Sequence, residues 1–299
     1  MTMLDVPLRG PYDLREVALM GFGHRDERAF DGIMRLGFCV DGDYESQVGV
    51  AVRQDGDRLE VRIEQSEGPP ADPDSVVGQV LRVVSADQDG QGYADLCRAD
   101  PFLGPIFARA PGFRPANFHS PYEAAIWSVI SARRPRGQGI TLRERLAATY
   151  GRELSVAGRS VPVVPTPAQL RRVEQVSGLP DDRVPRLHAI AEAAQRGDLA
   201  VRRLTSVGPE QAMMDLQRLP GIGPFYSSLI VVRACGLTDV LSTEPQVRKH
   251  LAAAYGRDVS AAELTEIAEN WRPFRTWVLV MLRALGGRGS RSEGADAGG

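Results

Sequence analysis

The sequence predicts an α+β fold: an N-terminal antiparallel β-sheet domain with helices, followed by an all-α domain. Three observations predict it. Segments rich in β-branched residues, separated by Asp/Gly turns, cluster between residues 36 and 66. From Pro121 onward, apolar residues recur almost throughout at helical spacing. Charge also changes sign near that boundary. Residues 1–115 hold 20 acidic residues against 12 arginines, whereas residues 116–299 hold 24 basic against 18 acidic.

The elements follow in order. Phe38-Cys39-Val40, Val48-Gly49-Val50-Ala51-Val52 and Leu59-Glu60-Val61-Arg62-Ile63 read as a meander of three strands. Asp41-Gly42-Asp43 and Gln54-Asp55-Gly56-Asp57 are the turns between them. The third strand alternates apolar and polar residues, which predicts one solvated face. A helix begins near Asp74, with Val76, Val77, Val80, Leu81 and Val84 at helical spacing. The Gly- and Pro-rich stretch from Gly112 to Pro121 reads as a linker. The domains are therefore taken as 1–112 and 113–286.

Helices are then expected at 122–131 and 142–150. Thr166 before Pro167 forms an N-cap with proline at the first helical position, opening a helix at 167–176. Others fit 181–196, 209–218, 224–235, 245–255, 260–269 and 273–285. The Gly-, Ser- and Arg-containing tail at 287–299 is expected to be disordered.

Composition narrows the function classes. The chain is 43% hydrophobic and 25% charged, an ordinary globular mixture. No apolar run is long enough for a membrane helix, and no secretory signal is expected at the N-terminus. Cys39, Cys97 and Cys235 are distant and odd in number, which suits a reducing compartment. Neither they nor the four histidines have metal-ligand spacing, so no zinc or iron–sulfur centre is expected. A basic second half suggests an anionic partner, although uneven surface charge gives the same count.

The most informative segment is Leu219-Pro220-Gly221-Ile222-Gly223-Pro224, set between two amphipathic helices. Gly221 and Gly223 permit a tight turn with positive φ. Pro224 suits the first position of the next helix. Ile222 would anchor the turn in the core. Backbone amides at such a turn and helix N-terminus can grip a phosphate. An ordinary helical corner would also use glycine, but the full string favours phosphate binding.

This string resembles the helix-hairpin-helix signature of base-excision DNA glycosylases, and in particular the DNA-3-methyladenine glycosylase II family. Pro165-Thr166-Pro167, Trp271-Arg272-Pro273-Phe274-Arg275, Pro11-Tyr12-Asp13 and Met20-Gly21-Phe22 are further similar pieces, so the resemblance covers nearly the whole chain. It implies a monofunctional DNA glycosylase of base-excision repair, which flips a damaged, alkylated base and hydrolyses its N-glycosidic bond. The implied partner is double-stranded DNA carrying that base, bound by a monomer without a membrane. The implied location is cytoplasmic and nucleoid-associated. No cofactor is required; some family members hold a monovalent cation on hairpin carbonyls.

The resemblance also assigns residues. Leu219, Gly221, Ile222 and Gly223 would hold DNA together with Arg133, Arg134 and Arg136. In Ser242-Thr243-Glu244-Pro245-Gln246-Val247-Arg248-Lys249, Glu244 falls on the family's catalytic aspartate. A carboxylate there stabilises an oxocarbenium-like transition state and orients water. The acid is one methylene longer than the family's, and an acid in the first turn of a helix is also the ordinary dipole-favoured arrangement. Asp239 reads as a loop or capping residue.

Several positions depart from the family pattern. Lysine occurs once, at Lys249, while Phe225 and Tyr226 stand where bifunctional relatives place a Schiff-base lysine. Arg133 or Arg134 would fill the gap left by the flipped base, or both would face phosphate. Phe22 and Phe225 keep aromatics for the base pocket, but Leu229 replaces one and Arg283 falls where a tryptophan is expected. An arginine there would repel a cationic base and favour a neutral or oxidised one. Trp271, Trp277, Tyr122 and Trp127 read as core. The alternatives are a catalytically weakened or inactive DNA-binding relative, and a helix-hairpin-helix scaffold that binds protein.

Overall fold

The computed structural model describes residues 2–20, 30–241, 248–249, 251–252 and 257–285. Four strands form an antiparallel sheet: β1 (Thr2–Pro7), β2 (Ile33–Val40), β3 (Asp43–Asp55) and β4 (Arg58–Glu67), in the order β1-β4-β3-β2. Both expected turns are present as two-residue loops. Val40 pairs with Asp43 around Asp41-Gly42, and Asp55 with Arg58 around Gly56-Asp57. Gly42 and Gly56 supply the positive φ that such hairpins require. Leu59, Val61 and Ile63 of β4 are buried and Glu60, Arg62 and Glu64 half-buried, the alternation expected from the sequence.

Helix α1 (Leu14–Met20) and helix α2 (Pro73–Val83) cover one face of this sheet. Asp72 caps α2 by accepting the Ser75 N–H. The other face carries a feature absent from the sequence reading, a hairpin of β5 (Arg152–Val156) and β6 (Arg159–Val163). Gly37 and Gly49 lie opposite each other in the β2–β3 ladder. A Cβ on Gly37 would stand 2.8 Å from Val161 and Val163, and one on Gly49 would stand 2.7 Å from Val156. The paired glycines make a notch into which the valines of the hairpin pack.

The helical part forms around α5 (Pro121–Ser131), ten of whose residues are buried. A helix apolar on all sides belongs at the centre of a bundle. Ser120 caps it through the Glu123 N–H. Around it stand α6 (Arg136–Tyr150), α7 (Pro167–Leu170), α8 (Val184–Gln195), α9 (Val201–Ser206), α10 (Pro209–Leu216) and α11 (Pro224–Ala234). Helix α6 begins six residues earlier than the spacing suggests. Helix α7 is one turn, closed by a capping box between Thr166 and Gln169. Residues 248–249 and 251–252 are helical, and the rest of the helix expected at 245–255 lies outside the described residues, as does the tail.

A third core joins distant parts of the chain. Helices α3 (Gly90–Ala99) and α4 (Leu103–Phe107) pack with α12 (Ala261–Glu269) and α13 (Arg275–Leu285). Tyr93 meets Phe107, Phe274 and Trp277 at ring-centre distances of 5.7, 5.6 and 5.1 Å. The cores therefore do not divide at residue 112, because residues 93–113 share theirs with the C-terminal helices.

The expected linker is corrected as well. Gly112 to Ser120 is buried throughout. Arg114 makes this possible by donating to the carbonyls of Arg9, Pro11, Ser85 and Gln88, and its guanidinium lies 5.0 Å from the Tyr12 ring centre. Glycine and proline here serve close packing, not solvent exposure. The buried guanidinium thereby finds its acceptors in four backbone carbonyls.

Candidate nucleic-acid interface

Helices α10 and α11 form the hairpin around residues 217–223. Leu216 and Ile222 are buried, and Leu219 packs on the same core while half-buried. The Leu219 N–H donates to Leu216 at 3.0 Å, and the Ile222 N–H to Leu219 at 3.1 Å. The two glycines differ. Gly221 has φ +90°, so it needs glycine. Gly223 is extended, at φ −93° and ψ −177°, which corrects the expectation of two positive-φ glycines. A Cβ at Gly223 would meet nothing within 4 Å. The second glycine leaves space in front of the helix and does not relieve strain.

Gly223 is the N-cap of α11, and no side chain caps the helix. Pro224 has no N–H, so the Phe225 and Tyr226 amides open the helix without intrahelical acceptors. This end faces a groove of about 660 Å³ lined by the turn and by Arg133, Arg183, Arg186 and Arg218. Arg183 and Arg186, at the start of α8, are missing from the sequence reading. Their signal is the short Asp181-Asp182-Arg183 turn, but only the packing of α8 beside the hairpin gives it meaning. The Arg183 guanidinium donates to Val129 at 3.1 Å. Burial, and then the charges of Arg186, Arg134 and Arg133, push its pKa below the ordinary arginine value, with Asp182 opposing. Asp182 also lines the groove, 2.9 Å from Arg186 and 3.8 Å from Arg183, and offsets part of this charge.

Arg133 follows α5 and holds φ +59°, a left-handed conformation unfavourable for a residue with a Cβ. Arg134 and Arg136, grouped with it in sequence, line a second hollow of about 450 Å³. This pocket brings together Phe225, Leu229 and Arg283, the three described residues of the base pocket expected from sequence. Phe225 is 55% exposed, unusual for a large apolar side chain. Its ring meets Tyr226 edge-on at 5.1 Å, and the Tyr226 hydroxyl lies 3.5 Å from the Ser131 hydroxyl. Phe22 and Glu244 lie outside the described residues.

Trp127 is half-buried: it packs on the helical core, as expected, and also lines this pocket. Trp271, Trp277 and Tyr122 are buried as expected. The Tyr122 hydroxyl donates to Pro165 at 2.7 Å. Arg233 also reaches the pocket wall, while its guanidinium donates to the Ala116 carbonyl and the Asn117 side chain. Asp239 is engaged by Arg275 at 2.6 Å and Arg272 at 2.8 Å, a structural pairing that fits its loop assignment. Tyr226 lines both hollows, so the basic groove opens beside the aromatic pocket.

No family model matches the chain. It is 26% identical over 182 residues to DNA-3-methyladenine glycosylase 2 of Escherichia coli, covering 60% of this chain and 62% of that protein. The match thus spans less than two thirds of that relative. Among solved structures, the 3-methyladenine DNA-glycosylase from Archaeoglobus fulgidus superposes with a TM-score of 0.76 at 18% identity, over 96% of this chain and 99% of that one. The 8-oxoguanine glycosylase/lyase of Clostridium acetobutylicum superposes at 0.69 with 16% identity, over 95% and 96%.

Proposed function

We propose that this chain, a member of the helix-hairpin-helix DNA glycosylases, removes a damaged, alkylated base from duplex DNA by hydrolysis, without a lyase step. The observation that carries the reading is the shared wall at Tyr226. A base-flipping enzyme must hold a strand by its phosphates and receive one extruded nucleotide beside that grip. The basic groove suits the first task, through the hairpin amides and Arg133, Arg183 and Arg186. The adjoining pocket suits the second, with Phe225, Tyr226 and Trp127 offering faces for stacking.

Glu244 supplies the carboxylate. As the C1′–N bond breaks, the base takes the electron pair and positive charge develops on the sugar. The carboxylate stabilises that charge and accepts a proton from the water whose oxygen bonds C1′. A lysine nucleophile would instead give a Schiff base and strand cleavage. Lys249, the single lysine, is exposed and is not among the residues lining either hollow. The family resemblance implies that hairpin carbonyls would hold a monovalent cation, which would add positive charge near the phosphate.

Base release from duplexes carrying single lesions tests the proposal. Free base with an intact abasic strand is the expected product. Salt-sensitive DNA binding without release from any lesion would favour the DNA-binding relative. Absence of both would contradict the reading.

A further inference from the structure

The groove beside the hairpin holds an acid among its cations. Arg133, Arg183, Arg186 and Arg218 line it, and among the described residues Asp182 is the one carboxylate that does. Its Oδ2 lies 2.9 Å from the Arg186 guanidinium and 3.8 Å from that of Arg183. The Asp182 side chain is 60% exposed, so it has open solvent to turn into. A carboxylate and a phosphate offer a guanidinium the same kind of charge-assisted hydrogen bond. A strand gripped in this groove therefore meets an acceptor of its own kind already in place.

Neither arginine depends on Asp182 for its position. The Arg183 guanidinium donates to the Val129 carbonyl in the last turn of α5 at 3.1 Å. The Arg186 stem crosses Gly221, where a Cβ would stand 2.9 Å from its Cδ. Both cations are thus aimed by other elements, α5 and the hairpin turn. What Asp182 adds to them is charge, through an exposed pair that opens at small cost.

We infer that Asp182 is an internal competitor for the DNA phosphate. It pairs with Arg186 in the free protein and yields that guanidinium to the strand. Binding then exchanges one ion pair for another, so Arg186 adds less affinity and less salt dependence than an unpaired cation would. The grip on undamaged duplex stays below the strength of the arginines alone, which suits a protein that must leave many ordinary sites to reach a rare one. The inference rests on reading this groove as the DNA grip and is independent of the chemistry in the pocket.

The test uses the full chain, its Asp182→Asn, Asp182→Glu and Arg186→Gln variants, and Asp182→Asn combined with Arg186→Gln. Affinity for an undamaged duplex is measured between about 50 and 200 mM salt. Asp182→Asn is expected to bind roughly three- to tenfold more tightly, with the slope of log K against log salt steeper by up to about one. Asp182→Glu should behave as wild type, and without Arg186 the gain from Asp182→Asn should shrink to about twofold or less. Unchanged affinity of Asp182→Asn, beside salt-sensitive binding by wild type, overturns the inference and leaves the groove reading standing. Weaker binding by Asp182→Asn also overturns it and makes Asp182 a positioning residue for Arg186. A gain that persists undiminished without Arg186 overturns the exchange. DNA binding that is absent or independent of salt in every form overturns the groove reading together with the inference.

Discussion

Arg133 and Arg134 are consecutive in the chain yet line different hollows, Arg133 the groove at the hairpin and Arg134 the aromatic pocket. The divergence follows from the backbone. Arg133 at φ +59° turns the chain between α5 and α6, so successive side chains part company. A basic run that reads as one patch in sequence thus serves two surfaces.

This conformation costs about 1 kcal/mol at a residue with a Cβ. Arg133→Gly is expected to raise stability by about that amount while weakening DNA binding. The slope of log K against log salt should fall by about one, the loss of a single phosphate contact. Denaturant midpoints and a salt titration of binding check both halves. A variant that loses stability and keeps its salt slope would place Arg133 in a structural role.

The hairpin glycines predict a contrast. Gly221→Ala forces a Cβ into φ +90° and within 2.9 Å of the Arg186 side chain, and is expected to cost about 1–2 kcal/mol of stability. Gly223→Ala meets open space in extended backbone and should leave stability unchanged within about 0.5 kcal/mol. Its effect is expected on DNA affinity, because Gly223 lines the groove at the hairpin. Equal stability losses in the two variants would refute the distinction.

Much of this was legible because its signals are local. The meander turns, the Thr166 cap and the hairpin string are each set by a few adjacent residues. Phe225 and Leu229 are one helical turn apart, so their common face was also readable, whereas their meeting with Arg283 drew on the family pattern. What escaped is set by distant partners. The β5–β6 hairpin depends on the Gly37–Gly49 notch more than a hundred residues earlier in the chain. The buried run at 112–120 depends on Arg114 reaching four carbonyls. Arg183 and Arg186 become part of the groove only through the position of α8.

The joining of α3 to α13 is testable at Tyr93 and Trp277, which meet edge-on at 5.1 Å. Tyr93→Leu and Trp277→Leu are each expected to destabilise by about 1–3 kcal/mol. Their double-mutant cycle should return a coupling of about 0.5–1.5 kcal/mol. Strict additivity would mean that the two rings do not share a core.

The cap of α12 predicts an acid sensitivity. The Ser260 N–H, and then Arg257 and the Ser260 hydroxyl, hold the Glu263 carboxyl down at about 2, below its ordinary 4.5. A carboxylate depressed in the folded state stabilises above its unfolded pKa and loses that contribution as pH falls toward the folded value. The stability advantage over Glu263→Gln should therefore be full at neutral pH and narrow between about pH 5 and about pH 2. A difference independent of pH would show that the charge is not what the cap uses.

The central claim is hydrolytic base excision through Glu244, and the most direct measurement is base release by wild type and Glu244→Gln on the same lesion-bearing duplex, with DNA affinity measured alongside. The account predicts that the variant binds as tightly as wild type and loses activity by about 100-fold or more. Undiminished release by Glu244→Gln would contradict it.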